Sequence, residues 1–104
     1  NYSYAPALKN AIDFLAREWW RKPAGFVSYG GVSSGTRGAA ALLPTLAAVG
    51  LIRTDANVEL TFAVRQVVDG VFEPGERESS IIVKELAELA TLAGALTQLR
   101  RSML

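Results

Sequence analysis

A chain of 104 residues, half of them apolar, with eleven basic and ten acidic side chains, has the size of one domain or part of one. A net charge of +1 gives nucleic-acid binding little electrostatic support. The lack of any histidine or cysteine excludes His-dependent triads, thiolate chemistry, disulfides and zinc sites of the usual kind. No apolar run approaches the roughly 20 residues that span a bilayer, so no membrane helix is expected. No signal-peptide pattern is visible in the first residues, and a cytoplasmic setting fits. Demanding chemistry in such a chain would belong to a bound cofactor.

The first predicted element is a helix opened by Pro6, whose missing N–H costs nothing in a first turn, with Ser3 or Tyr4 in the cap region. Leu8, Ala11, Ile12, Leu15 and Trp19 recur at helical spacing, and Pro23 ends the unit. Lys9–Asp13 and Asp13–Arg17 form opposite-charge pairs one turn apart. AGFVSYGG at 24–31 is a short apolar run closed by a double glycine, which predicts a strand covered on both faces. VSSGT makes a loop, and a second helix follows over 37–50, stopped by Gly50. Pro44 inside it predicts a kink or a distorted turn. Val58, Leu60, Phe62 and Val64 alternate with Glu59, Thr61, Ala63 and Arg65, a half-buried strand pattern. Asp69-Gly70 and Pro74-Gly75 are turn signals. The last helix, from about Ser80 to Arg101, carries Ile82, Leu86, Leu89, Ala93 and Leu96 as one continuous buried face. Arg100 and Arg101 near its end suit the helix dipole. Helices alternating with strands predict a parallel α/β sheet with right-handed crossovers. Two strands are too few for such a sheet, so the segment reads as the second half of a doubly wound domain.

Two stretches stand out chemically: NYS before the first helix and YGGVSSGTR between the first strand and the second helix. In an open α/β sheet both lie beyond the carboxyl ends of strands, where ligands bind. Glycines 30, 31 and 35 let backbone approach a flat ligand closely and leave N–H groups free to donate to it. A glycine-rich loop of this kind is also a common tight connection. There is no Walker lysine and no complete G-x-G-x-x-G, so nucleoside-triphosphate and Rossmann readings fail. Trp19 and Trp20 are read as core or interface packing, with an acceptor pocket as the alternative. Glu73, Glu76 and Glu78 with Arg77 read as a solvated turn, not a metal cluster. Asp13 and Glu18 fall on different helix faces, so they make no acid–base pair.

The string NYSYAPALKNAIDFL…EWWRKPAGFVSYGGVSSGTRGAAALLPTL resembles the NADPH-dependent FMN reductase family of the flavodoxin-like superfamily. Members carry P-x-Y-N-x-S after the third strand, then P-x-x-L-K-N-A-x-D-W/F-L opening a helix, then a K-P-a-x-x-x-S-Y-G-G strand and loop. The likeness is close over residues 1–50 and holds only in pattern over 58–104. It implies a flavodoxin-like doubly wound parallel sheet in a three-layer α/β/α arrangement, of which residues 1–104 are the C-terminal half. It also implies an oxidoreductase that passes hydride from NADPH or NADH through bound FMN to a quinone, a free flavin, an azo compound or a similar small-molecule acceptor. By the same resemblance the protein is a homodimer or homotetramer. Asn1 matches the asparagine that closes P-x-Y-N, and Tyr2 and Ser3 follow it. Tyr29, Gly30 and Gly31 match the second ring-side loop, which Ser33, Ser34 and Gly35 extend. No side chain is assigned as catalytic and none as a metal ligand. The family's Gly/Ser/Arg-rich phosphate turn does not occur in this sequence, so roughly 60–80 residues are expected before Asn1. The alternative from another class is a non-enzymatic flavodoxin-like binding or scaffold module.

Overall fold

A computed structural model describes residues 1–103. Helix α1 spans Pro6–Asp13, with Pro6 in its first turn and Ala5 as an N-cap without a side-chain bond. The Lys9–Asp13 ion pair forms at 2.6 Å. Because the helix stops at Asp13, the expected Asp13–Arg17 pair is never brought onto one face, and residues 14–21 run through turns instead. Trp19 still joins the stripe begun by α1: its Nε1 donates to the carbonyl of Ile12 at 2.8 Å. Trp19→Phe keeps most of the apolar bulk but removes that bond, leaving the carbonyl only the Leu15 N–H at 3.3 Å, so we expect a loss of about 1 kcal/mol in urea unfolding.

The expected first strand is split into β1 (Pro23–Ala24) and β2 (Val27–Gly30), interrupted at Gly25-Phe26. Its partner is split in the same way, into β3 (Ile52–Arg53) and β4 (Val58–Thr61). β1 pairs with β3 and β2 with β4, both parallel, with Val27 opposite Val58 and Gly30 opposite Thr61. The ladder bridges the interruption through Thr54 N–H to the Ala24 carbonyl and Val58 N–H to the Phe26 carbonyl. Helix α2 (Thr36–Ala48) lies against β2 and β3. Its Leu42 and Leu46 meet Ile12 of α1 to form the core, flanked by Tyr4, Trp19, Phe26, Val49 and Leu51. The helix runs through Pro44 without interruption. Pro44 and Ala40 face solvent, so water can take the Ala40 carbonyl that the missing N–H leaves free.

The expectation of cover on both faces of the first strand is not met within this chain, where Val27 and Tyr29 are 59% and 72% exposed. The second strand ends at Thr61, because Phe62 turns to φ 47 and donates its N–H to the Gly31 carbonyl. A 3₁₀ turn over Ala63–Gln66 follows, then an antiparallel hairpin of β5 (Val67–Val68) and β6 (Val71–Phe72). Asp69 and Gly70 sit between them at φ 49 and 77, the paired positive values of a two-residue hairpin turn.

Helix α3 (Glu76–Ser102) starts earlier than expected and lies against β4 and β1. Of its expected face, Ile82, Leu89, Ala93 and Leu96 are half-buried, but Leu86 is 57% exposed and Glu85, 2% exposed, takes the inward place beside it. One turn on, Glu88 accepts the N–H groups of Asp55 and Ala56 at 2.6 and 3.1 Å, closing the gap between β3 and β4. The fold is therefore α/β, with two short parallel strand pairs between helices. No helix among the described residues is long and apolar enough to cross a membrane.

Candidate functional site

β2 ends at Gly30, and the chain folds back on the strand it has just left. A Cβ on Gly30 would lie 2.9 Å from the Gly35 nitrogen, and one on Gly35 would lie 2.5 Å from the Tyr29 carbonyl oxygen. Gly35 also holds φ 74, so both glycines are required by the turn itself. Ser34 N–H donates to the Gly31 carbonyl, and Thr36 donates from N and Oγ1 to the Ser33 carbonyl at 2.9 and 2.6 Å. Gly31 differs from its neighbours. A Cβ there would meet only the edge of the Phe62 ring, at 3.7 Å. Its backbone faces open space that a ligand can enter.

The NYS segment is laid against the start of α2. A Cβ on Gly38 would lie 2.7 Å from the Ser3 carbonyl oxygen, so the absent side chain is what admits the segment. The Arg37 guanidinium stacks over the Tyr2 ring at 4.2 Å from its centroid. The two loops thereby border one open concavity of about 480 Å3 at the carboxyl end of β2. Asn1, Tyr2 and Ser3 form one side of it, and Tyr29, Gly30, Gly31, Ser33 and Gly35 the other. Of the nine residues singled out from the sequence, Ser34 alone does not line it. Its side chain is 7% exposed and is hydrogen-bonded to the Thr61 hydroxyl. Val27, Ser28, Arg37 and Gly38 also line the concavity; Arg37 closes the YGGVSSGTR stretch but was assigned no role from the sequence. Gly38 had a signal: a glycine in a first helical turn costs helix stability and is best explained by close backbone approach.

Electrostatically the concavity is positive. α2 opens on it with no acidic residue in its first turn and no side-chain cap, so the partial positive charge of the helix end adds to Arg37. Beside it, Leu60, Phe62, Val64, Val67 and Phe72 wall an apolar recess that shares Tyr29, Gly30 and Gly31. The arrangement suits a planar, electron-rich ring edged by backbone. Of the two tryptophans, Trp19 packs in the core and Trp20 borders a separate cavity at the other end of the strands.

The family model described as NADPH-dependent FMN reductase matches residues 1–64, a stretch that contains both loops. An NAD(P)H-dependent FMN reductase of Schizosaccharomyces pombe is 35% identical over 103 residues, covering 98% of this chain and 48% of the relative. An NAD(P)H-dependent FMN reductase of Saccharomyces cerevisiae is 64% identical over 31 residues, covering 30% of this chain and 16% of the relative. The chain thus spans about half the length, or less, of these curated relatives. No solved structure matches it. With a family model covering more than half of its residues, among them the loops that border the concavity, the chain belongs to the NADPH-dependent FMN reductase family.

Proposed function

We propose that this chain is the C-terminal half of a flavodoxin-like, doubly wound α/β/α domain, and that the whole protein is an FMN-dependent NAD(P)H oxidoreductase. The observation that carries the reading is the convergence of Asn1–Ser3 and Tyr29–Gly35 on one concavity at the carboxyl end of β2. The residues fit the ring of FMN: Gly30 and Gly31 present bare backbone, Gly31 has free space before it, and Arg37 with the α2 terminus supplies positive potential. The phosphate end of FMN would be held by residues outside this chain. When bound, FMN supplies a two-electron carrier that takes hydride from NAD(P)H and passes it on. The chain's part is to orient the ring and to favour its electron-rich reduced form. The apolar recess of Phe62, Val64 and Phe72 beside the loop suits a planar acceptor such as a quinone or a free flavin. A cytoplasmic setting and a homodimeric or homotetrameric assembly belong to the same reading, the latter supported by exposed apolar side chains such as Phe14 and Val64.

The test is spectroscopic. The full-length protein is expected to purify yellow or to take up added FMN, and NADPH is expected to bleach the flavin absorbance under exclusion of oxygen. A protein that stays colourless with FMN, or holds it without accepting hydride from NADPH or NADH, overturns the reading in favour of a non-enzymatic module.

A further inference from the structure

At the end of the strands opposite the glycine loop, a concavity of about 800 Å3 opens where Lys22 enters β1 and Gly50 leads into β3. Its border holds Arg17, Arg21, Lys22 and Arg100, four of the chain's eleven basic residues, against a single acidic one, Glu18. Among the described residues the one ion pair is Lys9–Asp13, so none of these four cations has a carboxylate partner. Glu18 offsets only one of the four positive charges. Its carboxylate accepts the Ala16 N–H at 3.0 Å, and backbone N–H groups of Glu18 and Ala16, helped by Arg17 and Lys22, hold its pKa below the ordinary value.

Two of the four cations are also held in place. The Arg100 guanidinium donates to the Arg21 carbonyl at 2.9 Å and to the Thr97 hydroxyl at 3.1 Å, which commits two of its five N–H groups and leaves the others for a ligand. Arg21 is fixed at φ 55, a left-handed conformation costly for a side chain of this size. Its N–H is tied to the Gly50 carbonyl at 2.7 Å, and its guanidinium lies over the Trp20 ring at 5.3 Å. Trp20 in turn packs on Gly50, where a Cβ would lie 2.8 Å from the indole. A strained backbone, a locked guanidinium and an indole are thus gathered around a surplus of positive charge.

From this we infer a second ligand site, separate from the ring-side loops, for a small phosphoanhydride: inorganic pyrophosphate or the diphosphate of a nucleotide. The volume is that of a small-molecule site. Arginine forks bind phosphate oxygens in pairs, and an excess of positive charge calls for a ligand with more than one negative charge. Trp20 offers an aromatic surface to a base if the diphosphate carries one.

Calorimetric titration of the full-length protein tests this, with excess FMN and NADP+ present to occupy the flavin and nicotinamide sites. Inorganic pyrophosphate and ADP are titrated separately at low salt, about 50 mM. One saturable site is expected, weakened about tenfold or more in an Arg17→Ala/Lys22→Ala double variant. Both side chains are exposed, so the variant should keep the wild-type unfolding midpoint. ADP binding tighter than pyrophosphate assigns the site to a nucleotide that uses Trp20, and equal affinities assign it to the phosphate chain alone. No saturable binding of either ligand, or equal binding by wild type and double variant, overturns the inference. Neither result bears on the flavin reading, which rests on the other end of the strands.

Discussion

Gly31→Val is expected to weaken FMN binding by the full-length protein about a hundredfold, on the order of 3 kcal/mol, while leaving its unfolding midpoint almost unchanged. The two effects separate because of what surrounds this glycine. Its backbone lies outside the left-handed region, and an added Cβ meets only the Phe62 ring edge at ordinary contact distance. The chain itself therefore has room for the valine. A flat ring stacked along the loop does not, since the branched side chain occupies the space that the bare backbone leaves open. Gly35→Val is the contrasting control. There a Cβ would lie 2.5 Å from the Tyr29 carbonyl oxygen at φ 74, so the substitution should cost about 2–4 kcal/mol of stability whether or not flavin is present. Fluorescence titration of FMN and urea unfolding of both variants give the comparison. Unchanged FMN affinity in Gly31→Val would place the ring elsewhere.

The parts legible in the sequence were those written in periodicity and in glycine. The alternation Val58, Leu60 predicted a strand there, and the order of helices and strands predicted the parallel pairing and a helix over 37–50 beside it. Glycines 30 and 35 marked a loop that closes on its own strand. What was not legible has specific causes. The hydrophobic pattern continued through Phe62 and Val64, but a hydrogen bond from Phe62 N–H to the Gly31 carbonyl turns the chain after Thr61. The break at 54–57 is tolerated because a glutamate on a distant helix satisfies the freed N–H groups of Asp55 and Ala56. No local pattern announces a partner 32 residues away. Valines 67, 68 and 71 were read only as flanking a turn, although Asp69-Gly70 between them is itself a hairpin signal. At the concavity, Tyr2 and Gly31 could be assigned from the string, whereas Arg37, though within the YGGVSSGTR stretch, gained a role only once the helix start set it over the Tyr2 ring.

The apolar repeat of α3 misled most. It put Leu86 inward, whereas the backbone rotates Glu85 under the sheet, to 2% exposure. The carboxylate lies against Gly25, where an added Cβ would come within 2.6 Å of Oε1. Neither of its oxygens has a hydrogen-bond partner among the described residues. Burial pushes its pKa up from the ordinary 4.5, the nearby N–H groups of Phe26 and Val58, short of hydrogen-bond geometry, pull weakly the other way, and Glu88 one turn on adds to the rise. The sign of the pH dependence follows. Where the folded pKa lies above the unfolded one, the native state binds more protons, so stability falls as pH rises from about 4.5 through the folded value. Above that point the protein carries the full cost of a buried, unpaired charge. Glu85→Gln keeps the shape and removes the charge. It is therefore expected to be about 1–3 kcal/mol more stable than wild type at pH 8, with the difference shrinking to near zero toward pH 4. Urea unfolding of the full-length protein across that range checks it, and the difference between the two proteins isolates Glu85 from every other titrating group. If a cation from outside this chain pairs with the carboxylate, the sign reverses and Glu85→Gln is the less stable protein at pH 8. That outcome would make Glu85 a fastening point between this chain and the segment that supplies the cation, whereas a stabilised glutamine variant leaves it a buried charge that the fold tolerates at a cost.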